Sequence, residues 1–272
     1  MDQKGPIIEN VEKSTNDYIA QNRFKFFALL VLMVAISVAF VLYTHANAGY
    51  VAIFFLIACL FIYSYVQSKI EHKFVQQFGA SIGFDYAPTG DMSSVDGKLF
   101  KTGHGQKIYD VLSSVRNERD SRVYSFQFTI GYGKGSHTYN MTVFETTFQN
   151  EMPDIMLVSR GSVFSAGIVQ LFDKSEHIEL EGDFNNYFTL RVPKGYETEA
   201  YQIFTPDIMA DLIDKAKELC FEFNAHKLYI YSSGSITTRE KFQAIFDLAD
   251  WLDDLFSRNT RAINVPAASA GQ

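Results

Sequence analysis

Cysteine is scarce in this sequence. The 272 residues include two cysteines, Cys59 and Cys220, which lie far apart along the chain. Small secreted domains that depend on disulfides need several closely spaced cysteines, so that class is excluded, and the pattern is typical of a reducing compartment. The histidines, at positions 45, 72, 104, 137, 177 and 226, never come as close in sequence as metal ligands do. No histidine or cysteine metal site is predicted.

The sequence also lacks an excess of positive charge. Its formal net charge is −7, and residues 1–25 are balanced, with four basic and four acidic side chains. From Lys69 onward, the chain has 20 basic and 27 acidic residues. Proteins that bind phosphate backbones without sequence preference need a basic surplus, so nucleic acid is not predicted as a partner.

Catalytic and cofactor motifs are missing as well. The glycine-rich segment 131–135 contains Lys134, but a phosphate-binding loop needs a Lys-Ser/Thr pair that opens a helix, and here a strand pattern follows. A hairpin turn explains this segment better. No serine lies in a Gly-x-Ser-x-Gly elbow. We therefore predict no catalytic residue and no cofactor.

Two long apolar runs stand out against these absences. Residues 26–43 are interrupted before Tyr43 only by Ser37, and residues 50–66 only by Ser64. As helices they would be about 25 to 27 Å long, which with flanking residues crosses a hydrocarbon core of about 30 Å. The short segment 44–49 can only turn the chain back. The sequence therefore predicts a transmembrane helical hairpin.

The orientation of this hairpin follows from its basic flanks. Arg23 and Lys25 precede the first run, Lys69 and Lys73 follow the second, and the connecting loop has no lysine or arginine. The positive-inside rule then places both termini and the main domain in the cytoplasm, with these four side chains among lipid headgroups. A cleaved signal peptide before residue 49 is the alternative. It is disfavoured because the first run is long and a second follows at once.

The remaining chain divides by composition into a tail, a domain and a second tail. Residues 1–22 are predicted to be a mobile cytoplasmic tail, and residues 23–78 the hairpin with a juxtamembrane helix, in which Ile70, Phe74 and Phe78 recur at helical spacing. That helix should stop near Gly79. Residues 79–258 are predicted to form a cytoplasmic α+β domain, and residues 259–272 a disordered tail.

Alternating patterns predict an antiparallel sheet in that domain. The clearest is 122–132, where aromatic and aliphatic residues occupy every second position, and 137–144 alternates again after the glycine-rich turn. This pair predicts a β-hairpin. Segments 107–115, 154–159 and 177–192 are predicted as further strands. Segments 220–223 and 228–231 are predicted as two strands around a turn at 224–226.

Two helices are marked by their first residues. Thr205-Pro206-Asp207 supplies an N-cap, a proline at the first helical position and an acid in the first turn. Thr237 with Glu240 has the spacing of a capping box for a final helix. Both helices carry apolar stripes, so we predict an α+β class with helices packed on the sheet. The stripes are Ile208, Met209, Leu212, Ile213 and Ala216 in the first helix, and Phe242, Ile245, Phe246, Ala249, Leu252 and Phe256 in the second.

Three short segments carry a family resemblance. They read LEGDFNNYF at 180–188, FTPDIM at 204–209 and KLYIY at 227–231. Together they resemble a family of bacterial two-pass membrane proteins classed as a domain of unknown function, over roughly residues 60–232. Phe204 stands where that family usually has leucine. The resemblance implies a hairpin in the bacterial inner membrane with a cytoplasmic α+β domain, and it brings no established chemistry or ligand.

The sharpest candidate site is acidic. Glu179, Glu181 and Asp183 occupy alternate positions. In an extended strand, all three carboxylates would project from one face and could bind a hard cation. Acidic residues on the solvated face of an edge strand also prevent aggregation, and this explanation is favoured.

Three functional hypotheses remain open. The leading one is a non-enzymatic inner-membrane protein whose cytoplasmic domain binds a partner or ligand. The second is a membrane-tethered, metal-dependent hydrolase that uses Glu181 and Asp183, and the third is a small accessory subunit of a transport assembly. The predicted partners are the lipid bilayer, a protein on the cytoplasmic side and a second copy of the chain.

Overall fold

The structure is a computed structural model that describes residues 7–44, 48–116, 119–162 and 175–259. The chain divides into two compact units. The first comprises Met1–Phe78 with Thr237–Arg239, and the second comprises Gly79–Ile236 with Glu240–Gln272. Residues 45–47 of the predicted turn and nearly all of the predicted tail at 259–272 lie outside the described residues.

The first unit begins with a helix where a mobile tail was predicted. Helix α1 spans Val11–Gln21, and the side chain of Asn10 caps it by accepting the Lys13 N–H at 2.9 Å. The Val11 N–H donates to the Thr237 carbonyl at 2.9 Å, and Val11 and Thr15 are fully buried. The sequence pattern missed this helix because its support comes from residues more than 200 positions away in the chain.

Helix α2, Arg23–Thr44, exposes apolar side chains along its length. Ser37 is buried in it and donates a hydrogen bond to the Met33 carbonyl at 2.7 Å. Within the described residues, Arg23–Phe40 is the one segment long and apolar enough to cross a membrane. The second predicted span, residues 50–66, lies in the next helix, where several side chains are outside the described ones. The two-span hairpin is therefore not confirmed.

Helix α3, Ala48–Ile82, is longer than predicted. Ile70, Phe74 and Phe78 are buried, as their spacing indicates. The helix continues past Gly79, where a Cβ atom would lie 2.3 Å from the Leu112 Cδ2 atom. The missing side chain of Gly79 therefore lets the Leu112 side chain pack directly on the helix backbone. The helix ends instead before Gly83, whose φ of +76° suits glycine.

The second unit contains an eight-stranded antiparallel sheet in the order β1-β2-β3-β4-β8-β5-β7-β6. Ile130 opposes His137 and Val123 opposes Phe144, so the predicted β3–β4 hairpin is present. Helices with an antiparallel sheet confirm the α+β class. The strands are β1 Asp85–Thr89, β2 His104–Arg116, β3 Arg119–Ile130, β4 His137–Met152, β5 Met156–Ser159, β6 Glu176–Ile178, β7 Phe188–Val192 and β8 Cys220–Ser233.

Strand β8 corrects one prediction. Residues 220–223 and 228–231 do not form two strands around a turn, because one strand, Cys220–Ser233, runs through both. Ala225, with φ of +51°, bends the backbone locally without reversing it. Before the bend Phe221 pairs with Leu157 of β5, and after it Ile230 pairs with Phe144 of β4. Strand β8 thus joins the two halves of the sheet.

The predicted helices are present, with changes at their starts. Helix α6, Pro206–Ala216, follows Thr205 as predicted and buries its apolar stripe except for the half-buried Ile213. Helix α7, Arg239–Asn259, begins two residues after Thr237, so the predicted capping box is wrong. Its predicted stripe is buried from Phe242 to Leu252, and the side chain of Phe256 lies outside the described ones.

Two short helices were not predicted. The segment 177–192 contains helix α4, Phe184–Tyr187, between β6 and β7, instead of one strand. Helix α5, Glu197–Ile203, precedes α6. A helix of four residues is too short for its apolar spacing to be distinguished from the alternating pattern of a strand.

Candidate functional site

The acidic run Glu179, Glu181 and Asp183 does not form a row on a strand. Strand β6 ends at Ile178, and Glu181 and Asp183 lie in the turn before α4, where Gly182 has a φ of +70°. The three side chains are exposed. The geometric basis of the cation hypothesis is therefore missing. Across the described residues, no group of three or more His, Cys, Asp or Glu side chains could hold a metal ion.

The turn that contains this acidic run has an internal structural role. The Asn185 side chain accepts the Leu180 N–H at 3.1 Å and donates back to the Leu180 carbonyl. Asp183 Oδ1 accepts a hydrogen bond from the Asn186 side-chain amide at 3.3 Å. These bonds fix the start of α4. The segment therefore positions α4, including Asn186 and Tyr187, which belong to the pocket described next.

A pocket of about 570 Å³ lies where β5, α4, α6 and β8 end, and we call it the Arg160 pocket. The Arg160 N–H donates to the Tyr187 carbonyl at 2.8 Å, and the Ser159 hydroxyl donates to the Lys217 carbonyl, so backbone bonds fix its walls. Its lining residues are Arg160, Gly161, Ser162, Asn186, Tyr187, Lys217, Glu218, Leu219, Ser232 and Ser233.

The chemistry of the Arg160 pocket favours binding. Its side chains offer two cations, one carboxylate, three serine hydroxyls, one amide and the phenol of Tyr187. The described lining contains no histidine, cysteine or aspartate, so its serines have no imidazole beside them to activate an attack. This set of donors and acceptors matches a carboxylate or the polar backbone of an extended peptide.

Sequence reasoning missed this pocket because its residues come from four separate elements. The only partial signal was the DFNNY motif at 183–187, which was associated with a strand. Nothing in the spacing of Arg160, Lys217 and Ser232 indicates that they meet. Only the pairing of β8 with β5 brings these chain segments together.

A second polar cluster lies on the sheet under the segment 91–101, which we call the cover segment. At its centre is Glu145 of β4, whose side chain is 5% exposed. The Arg122 guanidinium donates to both Glu145 carboxylate oxygens, at 2.6 and 2.7 Å, and Tyr124 donates to Glu145 at 3.1 Å. Although burial acts against it, the Glu145 carboxylate raises the pKa of Arg122. Both bonds come from Nη2 of Arg122, so one guanidinium nitrogen neutralises the buried carboxylate.

Lys227 extends this cluster to the cover segment. Its ammonium lies 3.4 Å from Glu145 and 3.3 Å from Asp96. The Tyr229 hydroxyl also donates to Asp96. Burial acts to raise the pKa of Asp96, but the bonds from Tyr229 and Lys227 outweigh it, and the pKa is lowered. The charged form of Asp96 is therefore the one that holds the cover segment.

Glu222 of β8 is the most deeply buried acid in this region. Its carboxylate accepts the Lys98 N–H at 2.6 Å and the Tyr231 hydroxyl at 2.7 Å. Burial raises the pKa of Glu222 despite these bonds. Burial also raises the pKa of Tyr231. The carboxyl therefore resists ionisation more than an ordinary glutamate does.

These polar contacts hold an apolar cover in place. The cover segment inserts Phe100 against Phe126, with ring centroids 4.9 Å apart, and against Tyr229 at 5.2 Å. Arg122 also donates to the Ser94 hydroxyl at 2.9 Å and to the Ser94 carbonyl at 3.1 Å. The bonds of Ser94, Asp96 and Lys98 join the cover segment to β3 and β8. We therefore interpret this cluster as structural.

The four basic residues predicted to contact headgroups are exposed. Two of them lie over aromatic rings of the same helix. The Arg23 guanidinium is 5.2 Å from the centre of the Phe24 ring, and the Lys69 ammonium is 4.7 Å from that of Tyr65. A cation attracts the face of an aromatic ring, and tyrosine and tryptophan are enriched at membrane interfaces.

Comparison with known proteins gives one relevant finding, which concerns the fold. No family model matches the chain, and no curated protein matches it. A solved structure, the mycobacterial trehalose monomycolate transport factor A (TtfA), is similar over 68% of this chain and 94% of its own, with a TM-score of 0.51 and 9% sequence identity. At that identity, the likeness shows a shared fold. The two-pass family of unknown function stays a prediction.

Proposed function

We propose that this chain is a membrane-anchored, non-catalytic accessory protein whose α+β domain binds a partner in a transport assembly. The observation that carries the proposal is the exposed apolar surface of α2. Phe27 is 65% exposed and Ile36 is 60% exposed, and only 6% of Arg23–Phe40 is buried. Water would penalise each such side chain by about 1.5 to 3 kcal/mol relative to burial. Lipid removes that penalty.

The proposal includes the second span. The first half of α3 also exposes large apolar side chains, among them Leu56, Leu60 and Phe61, which supports insertion beside α2. With the basic flanks Arg23, Lys25, Lys69 and Lys73, the positive-inside rule favours cytoplasmic termini in a bacterial inner membrane. A phosphatase reporter fused after Asn259 should then be inactive. An active periplasmic reporter would contradict this topology.

The transport part of the proposal is supported by the shared fold. TtfA is described as a transport factor, and this chain covers nearly all of the TtfA structure. A chain with few catalytic features and a membrane anchor fits an accessory role in such an assembly. We place partner contact at the Arg160 pocket, because its exposed cations and Tyr187 ring are suited to a polar segment of another protein.

The hydrolase alternative is less well supported. It needs Glu181 and Asp183 aligned on one strand, and both lie in a turn. If purified protein hydrolysed a phosphoester in the presence of Mg²⁺, and Glu181→Ala with Asp183→Ala removed the activity, the non-catalytic proposal would be abandoned.

Site-specific photocrosslinking tests the partner proposal. A photoreactive amino acid would replace Tyr187 in the pocket, with Tyr201 of α5, 54% exposed, as the matched control. We expect a crosslinked product at position 187 that contains a membrane protein with many spans, identified by mass spectrometry, and none at position 201. Equal products at both positions, or products only between two copies of this chain, would contradict the proposal.

A further inference from the structure

One end of the sheet carries a group of basic and aromatic side chains that the proposed function does not use. His104 of β2 opposes Thr129 of β3, and Ile130 of β3 opposes His137 of β4, so these segments meet at the same end of neighbouring strands. We call this group the basic tip. It consists of Lys101, His104, Lys107, Tyr132, Lys134 and His137, and all of them except the half-buried His104 are exposed.

The basic tip has a charge opposite to that of the whole chain. Segments 101–109 and 126–140 contain no aspartate or glutamate, although the chain has a net charge of −7. Asp110 directly follows the first of these segments, but it is buried and its carboxylate accepts the Tyr86 hydroxyl at 2.7 Å. Asp91 follows Gly90, whose N–H donates to the Ile108 carbonyl at 3.0 Å. The Asp91 carboxylate accepts the Ser93 N–H at 2.9 Å, and its bonds to Ser93 lower its pKa. The tip therefore presents cations that are not matched by acids in its own segments.

Tyr132 is held in an exposed position at the centre of this tip. Its ring is 83% exposed and stacks on His104, with centroids 4.7 Å apart and an interplanar angle of 10°. A ring nitrogen of His104 donates to the Gly131 carbonyl at 2.9 Å. Gly131 has a φ of +79°, and a Cβ atom there would lie 2.6 Å from the Gly135 carbonyl oxygen. The turn thus fixes an aromatic ring that is not buried.

We propose that the basic tip docks on the anionic headgroups of a lipid bilayer. Tyrosine is enriched at membrane interfaces because its ring enters the headgroup layer while its hydroxyl stays hydrated. Lysines near an anionic leaflet add electrostatic attraction, and a chain anchored in a bilayer meets headgroups at a high effective concentration. An RNA or DNA backbone would meet the net negative charge of the rest of the domain.

Amide exchange of the full chain in lipid nanodiscs tests this proposal. Nanodiscs of phosphatidylcholine alone would be compared with nanodiscs that also contain anionic phosphatidylglycerol. We expect exchange in residues 131–137 to slow several-fold in the anionic nanodiscs, while exchange in 206–216 of α6 stays the same. That helix serves as the control for folding.

Two triple variants isolate the role of the tip. Lys101→Gln with Lys107→Gln and Lys134→Gln should remove the slowing. Lys194→Gln with Lys215→Gln and Lys241→Gln changes the net charge equally and should keep it. Equal exchange in both lipids would overturn the proposal, as would slowing that survives the tip variant. Slowing reproduced in neutral nanodiscs by inorganic phosphate, or only by an acidic peptide, would assign the tip to a free anion or an acidic protein instead.

Discussion

Helices α2 and α7 contain similar apolar residues, but α2 exposes them and α7 buries them. In α2, Phe27, Ile36 and Phe40 are all more than half exposed. In α7, Phe242 and Phe246 are buried, and the opposite face carries exposed acids such as Asp247 and Asp250. Apolar content alone therefore does not tell the two helices apart. The informative difference is whether charged residues mark a face for water, as they do in α7 but not between residues 26 and 43 of α2.

Charge placed on α2 gives the largest expected effect. Leu32→Arg with Ile36→Arg should cost about 5 to 7 kcal/mol of membrane insertion, because arginine near the centre of a span costs about 2.5 to 3.5 kcal/mol. Extraction of membranes with alkaline carbonate measures this loss as protein released from the pellet. Leu32→Ala with Ile36→Ala is the matched control and should remain in the pellet. Retention of the arginine variant would mean that α2 is not in lipid.

The contrast also explains what the sequence could and could not predict. Alternation and stripes are local patterns, so the β3–β4 hairpin and the buried face of α6 could be read from them. Strand β8 could not be, because a single residue with positive φ, Ala225, bends the strand where the sequence suggests a turn. A local pattern does not show whether the chain reverses or continues.

The candidate site was less predictable than the fold. The acidic run was assigned to a strand, and a glycine with positive φ turns the chain there instead. The Arg160 pocket and the Glu145 cluster depend on residues that meet only through the strand order. Arg122 and Lys227, for example, contact one carboxylate from two different strands. The spacing of residues along a single sequence does not show which of them come into contact in the fold.

Within the sheet unit, loss of the Glu145 carboxylate should have the next largest effect. Glu145→Ala should lower the free energy of unfolding by about 3 kcal/mol, because it leaves Arg122 partly buried without its partner. Urea unfolding followed by Trp251 fluorescence measures this. Asp154→Ala breaks the exposed pair of Asp154 with Lys98 at 3.2 Å and should cost less than about 1 kcal/mol. Equal losses would show that burial does not govern these pairs.

Glu222 should make the sheet unit sensitive to pH. Burial raises its pKa in the folded state above the ordinary 4.5, so its unfavourable effect on folding appears as pH rises through and above that value. Glu222→Gln can still accept the Lys98 N–H and pair with Tyr231, but it does not ionise. We therefore expect the variant to gain stability relative to the native chain as pH rises above 4.5. Unfolding curves that shift in parallel over that range would contradict this assignment.

The smallest effect is expected at the exposed acidic turn. Glu181→Ala with Asp183→Ala should change the free energy of unfolding by no more than about 0.5 kcal/mol per site, as is usual for surface positions. Millimolar Mg²⁺ or Ca²⁺ should leave the melting temperature of the native chain unchanged. A metal-dependent rise that the double variant lacks would restore the cation hypothesis.

The most direct test compares two side chains that are similarly exposed in the fold but predicted to face different solvents. Ile36 of α2 is 60% exposed, and Val115 of β2 is 69% exposed. Each would be replaced by cysteine in a chain that also carries Cys59→Ser and Cys220→Ser, and opened membrane fragments would be treated with a water-soluble maleimide. If α2 lies in lipid, Val115→Cys is labelled and Ile36→Cys is labelled only after detergent is added. Equal labelling of both positions without detergent would show that α2 faces water.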